Sequence, residues 1–162
     1  MFDLFNGLPV HALVVHAVVV LLPLACLGTL AIAVKPAWRE RYGVLVVACA
    51  AAATVLIPVA TSSGEALEHR VGNPGEHAEM GDQLIWFAIP LLLLSAALVW
   101  LDRRKRTAGA VPDATTESKQ RTMTRTVAVL AIIAALATSV QVYRVGDTGA
   151  RAAWGDRVAA GS

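Results

Sequence analysis

The stretch LPVHALVVHAVVVLLPLACLGTLAIAV, residues 8–34, contains no Lys, Arg, Asp or Glu. An α-helix rises about 1.5 Å per residue, so a run of this length crosses a bilayer core of about 30 Å. It predicts a membrane helix. Three further apolar runs follow, at roughly 43–60, 84–101 and 127–143. None alternates apolar and polar residues with period two, which argues against a barrel. The expected fold class is all-α, an integral membrane four-helix bundle. Its helices are expected at about 8–34, 43–63, 81–101 and 126–143. Mildly polar residues such as Thr61–Ser63 and Thr124–Thr126 extend the shorter runs. A linker at about 102–125 and a tail at 144–162 complete a single membrane domain over 1–162.

Composition agrees. Apolar residues make up 56% of the chain and charged residues 16%, where a soluble domain carries about a quarter charged. A net charge of +2 is too small to argue for nucleic acid. Phosphate-cradling loops and serine-nucleophile turns are absent from the sequence, and no reaction is assigned by motif. The first run is not read as a secretory signal. No basic residue precedes it, Asp3 is acidic, and it exceeds the apolar core of about 7–15 residues that such signals use.

Basic residues give an expected orientation. Lys35, Arg39 and Arg41 lie in the first connection. Arg103, Arg104, Lys105, Arg106, Lys119, Arg121 and Arg125 lie in the third. Both connections are therefore expected in the cytoplasm and both termini outside, in a multi-pass cell-membrane protein. The third connection also carries the polar, Pro-containing stretch TAGAVPDATTESK, which reads as a flexible linker.

This topology gathers the four histidines at the outer face. His11 and His16 fall in the outer part of helix one, and His69 and His77 in the second connection. Residues five apart lie about 140° apart around a helix, so His11 and His16 do not share a stripe. The deeper His16 is expected to face the bundle interior, and His11 to sit near the headgroups. Pro58 is expected to bend or end helix two. Ser62 and Glu65 then form a capping box for a separate short helix in the outer connection. On that helix Glu65 and His69 share a face. GNPG, residues 72–75, is a turn. Glu65, Glu68, Asp82 and Arg144 are expected near the imidazoles as supporting partners. Such a His and carboxylate set suits zinc or another transition metal such as copper or iron, or haem b held between two opposed imidazoles. A hydrogen-bond network without any metal uses the same residues. Cys26 and Cys49 lie inside apolar helices and read as small buried hydrophobes. Four helices without an internal repeat leave little room for a transport path unless the protein oligomerises.

NGLPVHALVVHAVVVLLPL, PVATSSGEALEHRV, HAEMGD and VYRVGDTGARAAW together resemble the membrane family called domain of unknown function 2231, most closely its compact actinobacterial-type members. The matching positions are Asn6, Pro9, His11, His16, Glu68, His69, His77, Asp82, Arg144, Gly146 and Gly149. The resemblance implies a four-helix integral membrane protein and carries no settled activity. Some relatives are joined to Rieske-type iron–sulfur domains, which implies electron transfer or haem. This chain has no such domain. Broader relatives carry a histidine in the tail near the glycines, where this chain has Asp147.

Two function classes follow. One is a metal- or haem-binding module at the outer face with a redox role and a membrane redox partner. The other is a non-catalytic structural or accessory subunit. In both the partner is the lipid bilayer, with a homo-oligomer as a further expectation. The orientation is open to direct test. A phosphatase reporter that works only outside the cell is expected to be active when fused after Ser162. The same reporter inserted between residues 108 and 113 is expected to be silent, and the reverse pattern inverts the topology.

Overall fold

The computed structural model describes residues 4–5, 8–71, 75–107 and 114–159. Leu4–Phe5 and Leu8–Pro9 form a two-residue antiparallel ribbon, β1 and β2, pairing Leu4 with Pro9 and Phe5 with Leu8. Four helices follow: α1 Val10–Val34, α2 Pro36–Val71, α3 Glu76–Thr107 and α4 Ala114–Ala159. All four are long and apolar enough to cross a membrane. Each helix packs along its two neighbours in the order α1, α2, α3, α4 and back to α1. The diagonal pairs barely touch.

The helices outlast the apolar runs that announce them. The segment expected as a linker, 102–125, is largely helical, and most of the expected tail, 144–162, continues α4. The cause is local. Asp102–Arg106, Glu117–Arg121 and Asp147–Arg151 are ion pairs four residues apart on one helix face, each a support for polar helix ends. The separate short helix expected after Pro58 does not exist as such, because α2 runs unbroken through Pro58 to Val71. Proline there removes one backbone hydrogen bond, a loss that helices packed in a bundle tolerate.

α1 stops where Pro36 requires it. Proline disfavours helical geometry in the residue before it, and Lys35 is the single non-helical residue between α1 and α2. Pro36 then serves as the first residue of α2, where its missing N–H costs nothing. The carbonyls left over at the end of α1 are taken by Arg39. Its Nε donates to Ile32 at 2.7 Å and its terminal nitrogen to Ala33 at 3.0 Å, and the side chain is buried. Arg106 of α3 pairs with Glu40 as well as Asp102. The first connection and the end of α3 therefore meet at one end of the bundle, here called the basic end.

The core is built of small side chains at close range. Ala25, Ala50, Ala53, Ala88, Ala131 and Ala135 are fully buried beside Leu22, Leu91 and Leu98. A Cβ at Gly28 would lie 2.6 Å from Val46, and one at Gly43 would lie 2.7 Å from Val99. Those glycines let α1 meet α2 and α2 meet α3 closely, the packing that membrane bundles use. The outer surface is apolar, with Val20, Leu27, Val55, Leu93 and Leu136 exposed, as lipid contact requires.

The two helical hairpins match position by position. Buried Val18, Leu22, Ala25, Thr29 and Ile32 of α1 stand 66 residues before buried Leu84, Ala88, Leu91, Ser95 and Leu98 of α3. Buried Val46, Ala50 and Ala53 of α2 stand 85 before buried Ala131, Ala135 and Thr138 of α4. Thr54 donates to the Ala50 carbonyl, and Ser139, 85 residues on, donates to that of Ala135. The expectation of no internal repeat is thus corrected. The repeat lives in spacing and burial, with few identical residues. Replacing Arg39 by Ala is expected to destabilise the fold by about 1–3 kcal/mol, the cost of buried carbonyls left unpaired. Arg39→Lys restores part of it. Thermal unfolding in a mild detergent measures both.

Candidate functional site

At the end of the bundle opposite the basic connections, each hairpin carries a histidine as the second residue of its first helix. His11 continues the buried stripe of α1, seven residues before Val18, and His77 stands seven before Leu84 on α3. Both rings are therefore turned inward, toward the neighbouring helix of their own hairpin. His11 Nδ1 lies 2.8 Å from the Ala60 carbonyl of α2. His77 Nδ1 lies 3.1 Å from the Val145 carbonyl of α4. A carbonyl only accepts, so Nδ1 donates in both cases. In the neutral ring Nε2 is then the lone-pair nitrogen.

Each ring rests on a glycine one turn beyond the carbonyl it binds. A Cβ at Gly64 would stand 3.1 Å from His11 Cε1 and 3.2 Å from Nδ1. A Cβ at Gly149 would stand 2.9 Å from His77 Cε1 and 3.0 Å from Nδ1. The residue before each glycine sends its hydroxyl to the same carbonyl. Ser63 reaches Ala60 at 3.0 Å, and Thr148 reaches Val145 at 3.1 Å. The unit of histidine, carbonyl, hydroxyl and glycine thus occurs twice, once per hairpin. Each histidine bond stabilises its hairpin by about 0.5–1.5 kcal/mol net.

The second hairpin is stitched further. Buried Gln141 donates to the Met80 carbonyl at 3.3 Å, and Thr138 donates to that of Phe87 at 3.2 Å. Gln141 thus binds backbone inside the bundle.

The roles of the first two histidines are exchanged relative to expectation. His16 is exposed, and its Nδ1 returns to the Ala12 carbonyl of its own helix. The reason is phase. The buried stripe of α1 passes through residues 11, 18 and 22, and residue 16 falls on the far side. Glu65, Asp82 and Arg144 are exposed. The side chains of Glu68 and His69 lie outside the described residues. Among the described residues, no group of three or more His, Cys, Asp or Glu is placed to hold a metal ion. Beside His77, the residues Glu76, Thr148, Arg151 and Ala152 line a shallow surface hollow.

Gly64, Ser63 and Thr148 went unnoticed in the sequence. The signal that finds them is the pair of dipeptides Ser63–Gly64 and Thr148–Gly149, 85 residues apart, matched by His11–Ala12 and His77–Ala78, 66 apart. The contact distances set an order for substitutions. Alanine in place of a helical glycine gains up to about 1 kcal/mol of helix propensity. At Gly64 that gain roughly offsets a tight contact. At Gly149 the ring must shift, and Gly149→Ala is expected to lose about 1–3 kcal/mol. The loss should shrink when His77 is also Ala, which a double-mutant cycle of thermal unfolding in detergent reads directly.

The comparisons agree with this architecture. The family described as predicted membrane protein (DUF2231) matches residues 7–161. No curated protein matches, and no solved structure does. A match over nearly the whole chain, on four helices able to cross a membrane, places it: the chain belongs to the DUF2231 family of predicted membrane proteins.

Proposed function

We propose that the chain is an accessory membrane subunit, a scaffold that works through its surfaces, with both termini outside the cell. One observation carries this reading. Both inward histidines spend Nδ1 on the backbone of the neighbouring helix and lie against a glycine. Each then acts as a clamp that fixes the far end of a long helix hairpin. Two turns and more further along α1 and α3, Val18, Leu22, Leu84 and Ala88 belong to one buried apolar cluster. The orientation rests on the basic end, where Lys35, Arg39, Arg41 and Arg103–Arg106 gather.

A second reading has its own support, the tautomer. Histidines that ligate metal commonly donate the other ring N–H to a carbonyl. His11 and His77 both do so, leaving Nε2 as donor to a metal. Two imidazoles on different helices are the ligand type that would hold a haem iron. They fall short of the four ligands that structural zinc takes. In this reading His11 and His77 would hold the iron, and the haem would supply one-electron redox chemistry.

An absorption spectrum with metal analysis, on protein purified in mild detergent, separates the two. The scaffold reading expects no Soret band and no stoichiometric iron, zinc or copper. It also expects His11→Gln and His77→Gln to lower thermal stability only. A Soret band that disappears in either variant overturns it in favour of haem.

A further inference from the structure

The face of α1 opposite its buried stripe carries His16, Val20, Leu27 and Val34, all exposed. The corresponding face of α3 carries Asp82, Trp86, Leu93 and Trp100, also exposed. These four pairs keep the same 66-residue offset that relates the buried stripes. His16 and Asp82 are each the seventh residue of their helix, and Val20 and Trp86 each the eleventh. α1 and α3 run in the same direction, so each pair stands at one depth in the membrane. His16 lies inside the apolar run 8–34 and Asp82 two residues before the run 84–101, and ionisable groups on a lipid-facing helix surface at that level are normally found paired. His16 already uses Nδ1 on Ala12, which leaves Nε2 pointing away from its own helix. Within the chain no ion pair joins His16 or Asp82 to a described residue.

We infer that this chain associates with further copies of itself, α1 of one copy lying against α3 of the next, with His16 paired to Asp82 of the neighbouring copy. Charge is complementary at one level, since a protonated His16 donates Nε2–H to the Asp82 carboxylate. Size is complementary at the next, where the branched Val20 leaves space that Trp86, 73% exposed in the isolated chain, fills. Contact between α1 and α1 lacks both matches, because two protonated rings would repel and Val20 would meet only Val20. α1 and α3 occupy opposite corners of the bundle, so the two faces point in opposite directions. The contact is therefore head-to-tail, and it propagates as a row in the membrane plane. It holds whichever reading of the inward histidines is correct, because it uses none of their atoms.

Cysteine cross-linking in native membranes tests it, in a background where Cys26 and Cys49 are Ala. A Leu27→Cys chain and a Leu93→Cys chain, differently tagged and expressed together, are oxidised with copper phenanthroline. The expected product is the mixed disulfide dimer, and a chain carrying both cysteines gives a ladder. His16→Asp should abolish the ladder, and His16→Asp with Asp82→His should restore it. Cross-linking of Leu27→Cys only to itself, absence of any cross-link, or a ladder indifferent to His16→Asp each overturns the inference.

Discussion

In hydrocarbon a backbone N–H or C=O that finds no protein partner stays unpaired, and every feature of this bundle follows from that constraint. Mid-helix, each group is satisfied by its own helix. The difficulty falls on helix ends, turns and prolines, and there side chains step in. Arg39 closes the end of α1 by taking the carbonyls of Ile32 and Ala33. Gly75, with φ of +62°, supplies at the start of α3 a left-handed residue that a side chain would resist, and its carbonyl accepts the first bond from Ala78. His11 and His77 work the other way. They bring a side-chain donor to a carbonyl already used within its helix, exploiting its second lone pair to join two helices.

That second use of a carbonyl explains the glycines. A ring that reaches the backbone of a neighbouring helix needs the side chain one turn on to be missing. Gly64 and Gly149 are the positions that provide this. The hydroxyls of Ser63 and Thr148 are small enough to share the same carbonyl. The four residue types are thus one device, and its recurrence in α1–α2 and α3–α4 makes the bundle a doubled hairpin. The halves are not identical in strength. Only the second adds Gln141 and Thr138 as further stitches to α3. The histidine end of the first hairpin depends more heavily on one side chain.

The four helices were legible because hydropathy acts over many residues, and a run such as 8–34 admits few alternatives. Their ends were not, because polar helix termini are held by local pairs such as Glu117–Arg121, which composition reads as linker. The site was half legible. Histidine in an apolar run announces a role, and His11 has one; His77 has the matching role from a polar stretch that gives no such signal. What the sequence conceals is phase. Depth alone favoured His16, whereas the stripe set by Val18, Leu22 and Ala25 decides which of two nearby histidines enters the bundle. The repeat escaped for a related reason. Burial and hydrogen bonding conserve size and polarity, so Thr29 answers to Ser95, and Thr54 to Ser139, without sequence identity.

Phase also separates two roles that the same residue type plays in α1. His11 lies on the buried stripe, so its ring is committed to backbone a few ångströms away. His16 lies on the opposite face and is committed only to its own helix. The corresponding positions of α3 show what each role demands. Position 77 keeps the imidazole, because the clamp needs a rigid ring with a donor at a fixed reach. Position 82 has a carboxylate instead, so an ionisable group is retained on the far face, an acid in place of a base. A purely structural face toward lipid gains nothing from either group, since both cost free energy there. A base and an acid at matched positions on two outward faces are therefore a property of the surface rather than of the fold, and they separate the demands of assembly from those of the clamps that hold each bundle together.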